Sequence, residues 1–204
     1  MTPAVAEVYN EAFSYLDTLM KIRFIPALLL ALCVTANASD MPQSTGIKPL
    51  VPITALDVPR YMGTWYEIAK FNNRFQKRCT GFTTATYSAI PDGKVQVINR
   101  CRAENGDLVE AIGVARQVGN SSSPKLKVRF APAILSFLPM VWGDYWVIDL
   151  DQNYQLAAVS EGTREYLWIL SRTKKVDHAK YDALIARLAA QGLDVSKLVL
   201  TWQE

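Results

Sequence analysis

Alternation of apolar and polar residues runs through the chain between positions 63 and 172. Lys125 to Phe130 is the clearest stretch: Leu126, Val128 and Phe130 fall on one side, Lys125, Lys127 and Arg129 on the other. Successive strand side chains point to opposite faces, so this is a strand with one dry and one wet face. The same pattern, bounded by turn residues, predicts strands over Gly63 to Phe71, Gly81 to Ser88, Lys94 to Cys101, Leu108 to Val118, Asp144 to Leu150, Tyr154 to Ser160 and Glu165 to Arg172. Pro91-Asp92-Gly93 is a hairpin signal. A two-residue turn at Asp92-Gly93 would set Pro91 against Lys94. Short strands at even spacing predict an all-β sandwich or barrel, and pattern alone does not separate the two.

The period then changes. Tyr181, Leu184, Ile185 and Leu188 recur at helical spacing after Asp177, a good N-cap, and Gly192 can end the helix in the left-handed conformation. The apolar stripe is narrow, so this helix packs one face on the outside of the β structure. Leu198 to Gln203 reads as a final short strand, and Asp57 to Met62 as one helical turn before the first. Residues 39–56, rich in Pro, Ser and Thr, form an extended leader along the domain.

The amino terminus is a different kind of sequence. Met20-Lys21-Ile22-Arg23 is a basic start, Phe24 to Val34 an apolar run, and Ala36-Asn37-Ala38 a small-x-small cleavage pattern. Together they read as a secretory signal peptide, residues 20–38. The run is shorter than the roughly 20 residues a membrane span needs. Residues 1–19 carry Glu7, Glu11 and Asp17 and no basic residue, which places the translation start at Met20. The chain thus divides into a leader (1–38), a Pro-rich segment (39–56) and a β domain (57–204), the mature protein being periplasmic. The alternative is an outer membrane lipoprotein acylated at Cys33, although Leu32 stands where a small residue would precede such a cysteine.

Half of the 204 residues are apolar and the net charge is +3, which suits one globular domain and excludes a nucleic-acid-binding balance. After export, Cys79 and Cys101 are the two cysteines left, and an oxidising compartment favours a disulfide over free thiols. In the two-residue-turn register they would not lie opposite each other, so a longer loop, a bulge or a bend must join them. Two cysteines and the distant His178 cannot complete a tetrahedral metal set. The sequence carries no Gly-x-Ser-x-Gly elbow and no phosphate-binding glycine loop. It therefore predicts neither an enzyme nor a cofactor. Asp149 and Asp151 read as strand-end and turn residues. Glu67 shares the parity of Trp65 and is the carboxylate to test for chemistry.

Four stretches in order resemble the bacterial lipocalins, the outer-membrane-associated group related to apolipoprotein D. They are Tyr61 to Ala69 with its Gly63-Thr64-Trp65 core, the hairpin from Ala85 to Asn99, Asp144 to Asp149, and Tyr166 to Arg172 followed by Leu193 to Lys197. Gly143 stands where the family has Thr. The resemblance implies an eight-stranded antiparallel up-and-down barrel with one C-terminal helix packed outside. It implies that Gly63, Trp65 and Arg172 build the closed end, Arg172 lying over the Trp65 indole. Parity then turns Leu170, Trp168 and Tyr166 inward, with Tyr145 and Val147 beside them. Leu126, Val128 and Phe130 join this wall, because the alternative buries three basic residues.

The loops implied at the mouth differ in character. One carries Arg74, Lys77 and Arg78 around Phe75. The other, Ala131 to Trp142, is apolar and includes Phe137. Cations beside apolar residues suit a lipid head group or a membrane surface, and the apolar loop reads equally as a lid or a contact patch. The implied function is binding, storage or transport of amphipathic lipids, such as fatty acids and lysophospholipids, in support of the bacterial envelope membrane. The competing readings are a lipid-modifying enzyme on the same scaffold and a protein-binding module or homodimer using the apolar loop.

Overall fold

The computed structural model describes residues 48–204. The signal peptide and translation start expected from the sequence, Cys33 and the first part of the Pro-rich segment lie outside the described residues. A short helix α1 (Val58–Tyr61), capped by the Asp57 side chain, leads into β1 (Gly63–Phe71). Then come β2 (Gly81–Ile90), β3 (Lys94–Arg102), β4 (Leu108–Gln117), β5 (Lys125–Arg129), β6 (Gly143–Leu150), β7 (Leu156–Ser160) and β8 (Leu167–Ser171). Helix α2 (His178–Ala190) and a three-residue strand β9 (Leu198–Leu200) follow. Each of the eight main strands pairs antiparallel with its sequence neighbours, and β1 pairs with both β8 and β2. The result is a closed barrel, not a sandwich.

Closure leaves two apolar layers. Trp65, Tyr87, Val95, Val97, Ala115, Leu126, Val147, Val159 and Leu170 fill the inside. Ile148, Ala158, Leu167 and Ile169 face outward onto Leu184 and Leu188 of α2. Consecutive residues of β6, β7 and β8 therefore serve opposite layers, as a strand buried on both faces requires. The leader crosses the barrel by backbone hydrogen bonds from Ile53 N–H to Val147 O and from Leu56 N–H to Ser122 O, with Leu56 buried in the inner layer.

Local irregularities depart from simple alternation. Ile90 faces Lys94, so the first hairpin has a three-residue turn, with Asp92 and Gly93 both at positive φ. A bulge near Phe82 (φ 53°) shifts the register again between Gly81 and Thr84. These two shifts move the register only part of the way toward the cysteine pair; the remaining offset falls in the loop before β2, where Cys79 lies, bonded to Cys101 with a Cα–Cα distance of 5.5 Å. A second bulge, in β1 between Glu67 and Ala69, reverses its facing: Ala69 and Phe71 join the outer layer, while Lys70 comes opposite Trp168. β7 begins two residues later than its pattern suggests. The Asp151 carboxylate accepts from the N–H groups of Asn153, Gln155 and Leu156 and holds the preceding residues in a turn.

β9 sits where β1 and β2 part. β1 pairs with β2 only over Gly63 to Tyr66, and Ala69 to Phe71 pair with β9 instead. Trp202 O accepts from Phe82 N–H, and the buried Gln203 amide donates to Glu67 O and Thr83 O, each at 2.8 Å. The carboxy terminus thus fills the upper seam of the barrel.

Candidate functional site

The closed end is organised by Arg172. Its guanidinium carbon lies 3.9 Å from the centroid of the Trp65 ring. Its nitrogens donate to the carbonyls of Thr64 (3.0 Å), Arg60 (3.0 Å), Tyr61 (3.2 Å) and Met62 (2.7 Å). The Trp65 indole N–H donates to Tyr61 O at 2.9 Å. Gly63 adopts φ 96°, and a Cβ there would meet Arg172 Nη1 at 3.2 Å, so glycine serves both the backbone turn and the close approach. One arginine fan ties α1 to the first and last strands.

Above the floor, Leu126 and Val147 are buried, and Val128, Tyr145 and Trp168 are half-buried against them. Phe130 lies past the end of β5 and is 40% exposed. Its ring fills the space beside Gly113, where an added Cβ would come within 2.7 Å, so it stands at the rim and not deep in the wall. The outward basic residues of β5 do not form an open patch. Lys125 lies over Trp146 at 3.9 Å, Lys127 pairs with Asp144 at 2.9 Å, and Arg129 shares the Trp142 ring with Arg116. Within the cup, Tyr145 Oη lies 2.9 Å from Tyr61 Oη and 2.9 Å from Tyr87 Oη. Burial pushes all three phenols above their ordinary range, Tyr87 to about 12.

At the mouth, Asn73 caps a helical turn over Arg74–Gln76 by accepting from the N–H groups of Phe75 and Gln76. Gln76 reaches into the cup. Its amide donates to Glu67 Oε2 at 2.5 Å, and its carbonyl accepts from Trp168 Nε1 at 2.9 Å. Glu67 also holds Lys70 Nζ at 3.1 Å and Thr201 Oγ1 at 2.6 Å. The inward carboxylate is therefore engaged by three side chains and acts as a clasp joining the mouth loop, β1 and the carboxy terminus. Periodicity missed Lys70 as an inward residue, because the bulge after Glu67 reverses parity there. It missed Gln76 because that residue lies in a loop, and Thr201 because the pairing of the last strand with β1 leaves no local pattern.

Beside this clasp is a groove of about 420 Å³ lined by Lys70, Asn72, Asn73, Arg74, Gln76 and Lys77. Arg78 is exposed next to it. Phe75 packs on Tyr166 (5.5 Å between centroids), which stacks on Trp168 (5.8 Å). In the loop before β6, Ile134, Phe137 and Met140 are 79%, 76% and 65% exposed, turned to solvent and not folded into the cup. His178 is exposed at the start of α2. Asp149 pairs with Arg187 of α2 at 2.7 Å.

Comparison with known proteins fits this architecture. The profile of the lipocalin-like domain matches residues 56–203. Temperature-induced lipocalin-1 of Arabidopsis thaliana is 42% identical over 158 residues, 76% of this chain and 84% of the relative. The outer membrane lipoprotein Blc of Escherichia coli K12 is 35% identical over 180 residues, 88% of this chain and 95% of the relative. Among solved structures, insecticyanin of the tobacco hornworm Manduca sexta superposes with a TM-score of 0.58 at 19% identity, over 74% of this chain and 82% of that one, and supports the fold.

Proposed function

Because this chain belongs to the lipocalin family, in the group of the bacterial outer membrane lipoprotein Blc and apolipoprotein D, we propose that it binds, stores or carries amphipathic lipids such as fatty acids and lysophospholipids in the bacterial envelope. The observation that carries this reading is a polarity gradient. An interior lined by Leu126, Val128, Tyr145, Val147 and Trp168 lies beneath a groove bearing Lys70, Arg74 and Lys77. Each buried methylene contributes about 0.8 kcal/mol, so an acyl chain supplies the drive and the cations orient its anionic head. The rim residues Phe75 and Phe130 and the Tyr166–Trp168 stack would then flank the chain where it enters. In this reading the protein is a binding protein and Glu67 is structural, since its carboxylate is already held by Lys70, Gln76 and Thr201.

That the Blc relative is an outer membrane lipoprotein supports export to the envelope. Exposed Ile134, Phe137 and Met140, with Arg74 and Lys77 near the same opening, favour contact of the mouth with an anionic membrane surface, where a ligand would be exchanged. The same apolar loop would also serve a homodimer.

Titration of tryptophan emission with octadecanoic acid and with octadecanol tests the binding reading. The acid is expected to quench Trp168. Arg74→Gln with Lys77→Gln is expected to weaken the acid about five- to tenfold and leave the alcohol nearly unchanged. Failure of both compounds to bind would sink the reading.

A further inference from the structure

The tyrosine cluster in the cup contains more donor capacity than the protein uses. Tyr61 comes from α1, Tyr87 from β2 and Tyr145 from β6, and their oxygens meet in two hydrogen bonds of 2.9 Å. A phenol has one proton to donate. Three phenols joined by two hydrogen bonds leave one proton over, whichever way the chain of donors runs. No other oxygen among the described residues accepts it. The cluster packs within a layer that includes Leu56, Trp65, Val97, Leu126, Val147 and Leu170, and the Arg172 guanidinium at the floor offers no acceptor. A donor without an acceptor in such a place is destabilising. Phenylalanine would fill nearly the same volume at all three positions without that penalty. The phenols stay protonated far above neutral pH, so the donor is constant under ordinary conditions.

We propose that this spare hydroxyl proton recognises a ligand oxygen inside the cup, so that the preferred ligand is an amphiphile whose acyl chain carries an in-chain oxo or hydroxyl group. The proposal rests on the amphiphile-binding reading above and adds a specificity to it. With the anionic head in the Lys70, Arg74 and Lys77 groove, the chain runs down past the Tyr145 hydroxyl toward Trp65. An in-chain oxygen there accepts the proton and completes the cluster. A neutral acceptor fits better than a second anion. Arg172 is the cation at the floor, and its donors go to the carbonyls of residues 60, 61, 62 and 64. A buried anion would lack a partner.

The test compares octadecanoic acid with a series of its oxo derivatives in which the carbonyl is moved along the chain. Affinity is read from tryptophan quenching. At least one positional isomer is expected to bind about tenfold more tightly than octadecanoic acid. In the protein carrying Tyr61→Phe, Tyr87→Phe and Tyr145→Phe, that preference, taken as the ratio to octadecanoic acid measured on the same variant, is expected to fall within about twofold. A second measurement needs no variant: the infrared carbonyl band of the bound preferred isomer, labelled with carbon-13 at the oxo group, is expected below its position in hydrocarbon solvent. Equal affinity across the whole series overturns the proposal and leaves the amphiphile reading standing. So does a preference that the triple variant keeps, or an unshifted carbonyl band. Absence of binding by octadecanoic acid and every derivative overturns both.

Discussion

Tyr61, Tyr87 and Tyr145 are expected to hold their protons well past the pH at which exposed tyrosines ionise. Burial is the main cause, because a phenolate in that apolar interior would lose its hydration. The consequence for stability has a definite sign. Unfolded phenols ionise near pH 10, whereas Tyr87 in the folded protein holds its proton to about 12. Between those values the unfolded chain binds fewer protons, so stability is whole below pH 10 and is lost as pH rises through the folded value. Each such group contributes a slope of about 1.4 kcal/mol per pH unit in that window. Urea midpoints measured from about pH 9 to about pH 11.5 are expected to fall steeply, and more shallowly in the triple phenylalanine variant. Sequence parity made Tyr145 legible as an inward residue, and the motif made Trp65 and Arg172 legible as a pair. The meeting of three hydroxyls was not legible. It depends on strand tilt and on α1 folding over the floor, and neither leaves a periodic trace.

At the scale of elements, the carboxy-terminal strand matters more than its three residues suggest. β1 and β2 separate above Tyr66, and an open pair of strand edges would leave backbone groups without partners. β9 satisfies the β1 side, while Trp202 O and the Gln203 side chain satisfy the β2 side. Gln203→Leu removes both amide hydrogen bonds and leaves two carbonyls without that donor. Its expected cost is about 1–3 kcal/mol. The check is a urea midpoint together with amide exchange at Ala69 to Phe71, which is expected to speed up if the seam loosens. An unchanged midpoint with unchanged exchange would remove Gln203 from barrel closure. The eight main strands were legible because alternation and turn residues are local signals. The seam was not, because its partner strand lies more than a hundred residues away and the bulge after Glu67 breaks the parity that would have placed Lys70. The first hairpin illustrates the same limit: Asp92-Gly93 announced a turn, and only the backbone revealed that Pro91 belongs to it.

Over the whole molecule, the two ends of the barrel are held by different kinds of interaction. The floor is fixed in the folded state, by one arginine bonding several carbonyls across an indole. The mouth is held in part by a covalent bond, Cys79–Cys101, which acts mainly on the unfolded chain. It closes a loop between residues 22 positions apart, for which chain entropy gives about 3 kcal/mol of stabilisation. Cys79→Ala with Cys101→Ala is the appropriate removal, because Cys101 is buried and a serine there would add an unpaired hydroxyl. The variant is expected to lose about 3 kcal/mol in urea unfolding, through a lower midpoint and a somewhat steeper slope, since the unfolded chain freed of the cross-link exposes more surface. Its Trp65 environment is expected to stay native until the main transition, because the Arg172 fan does not depend on the bond. If instead Trp65 emission shifts before the midpoint, the floor and the mouth are coupled more tightly than their separate fastenings imply. In that case occupancy at the open end would be felt at the closed one, through the β1 and β2 strands that both fastenings share.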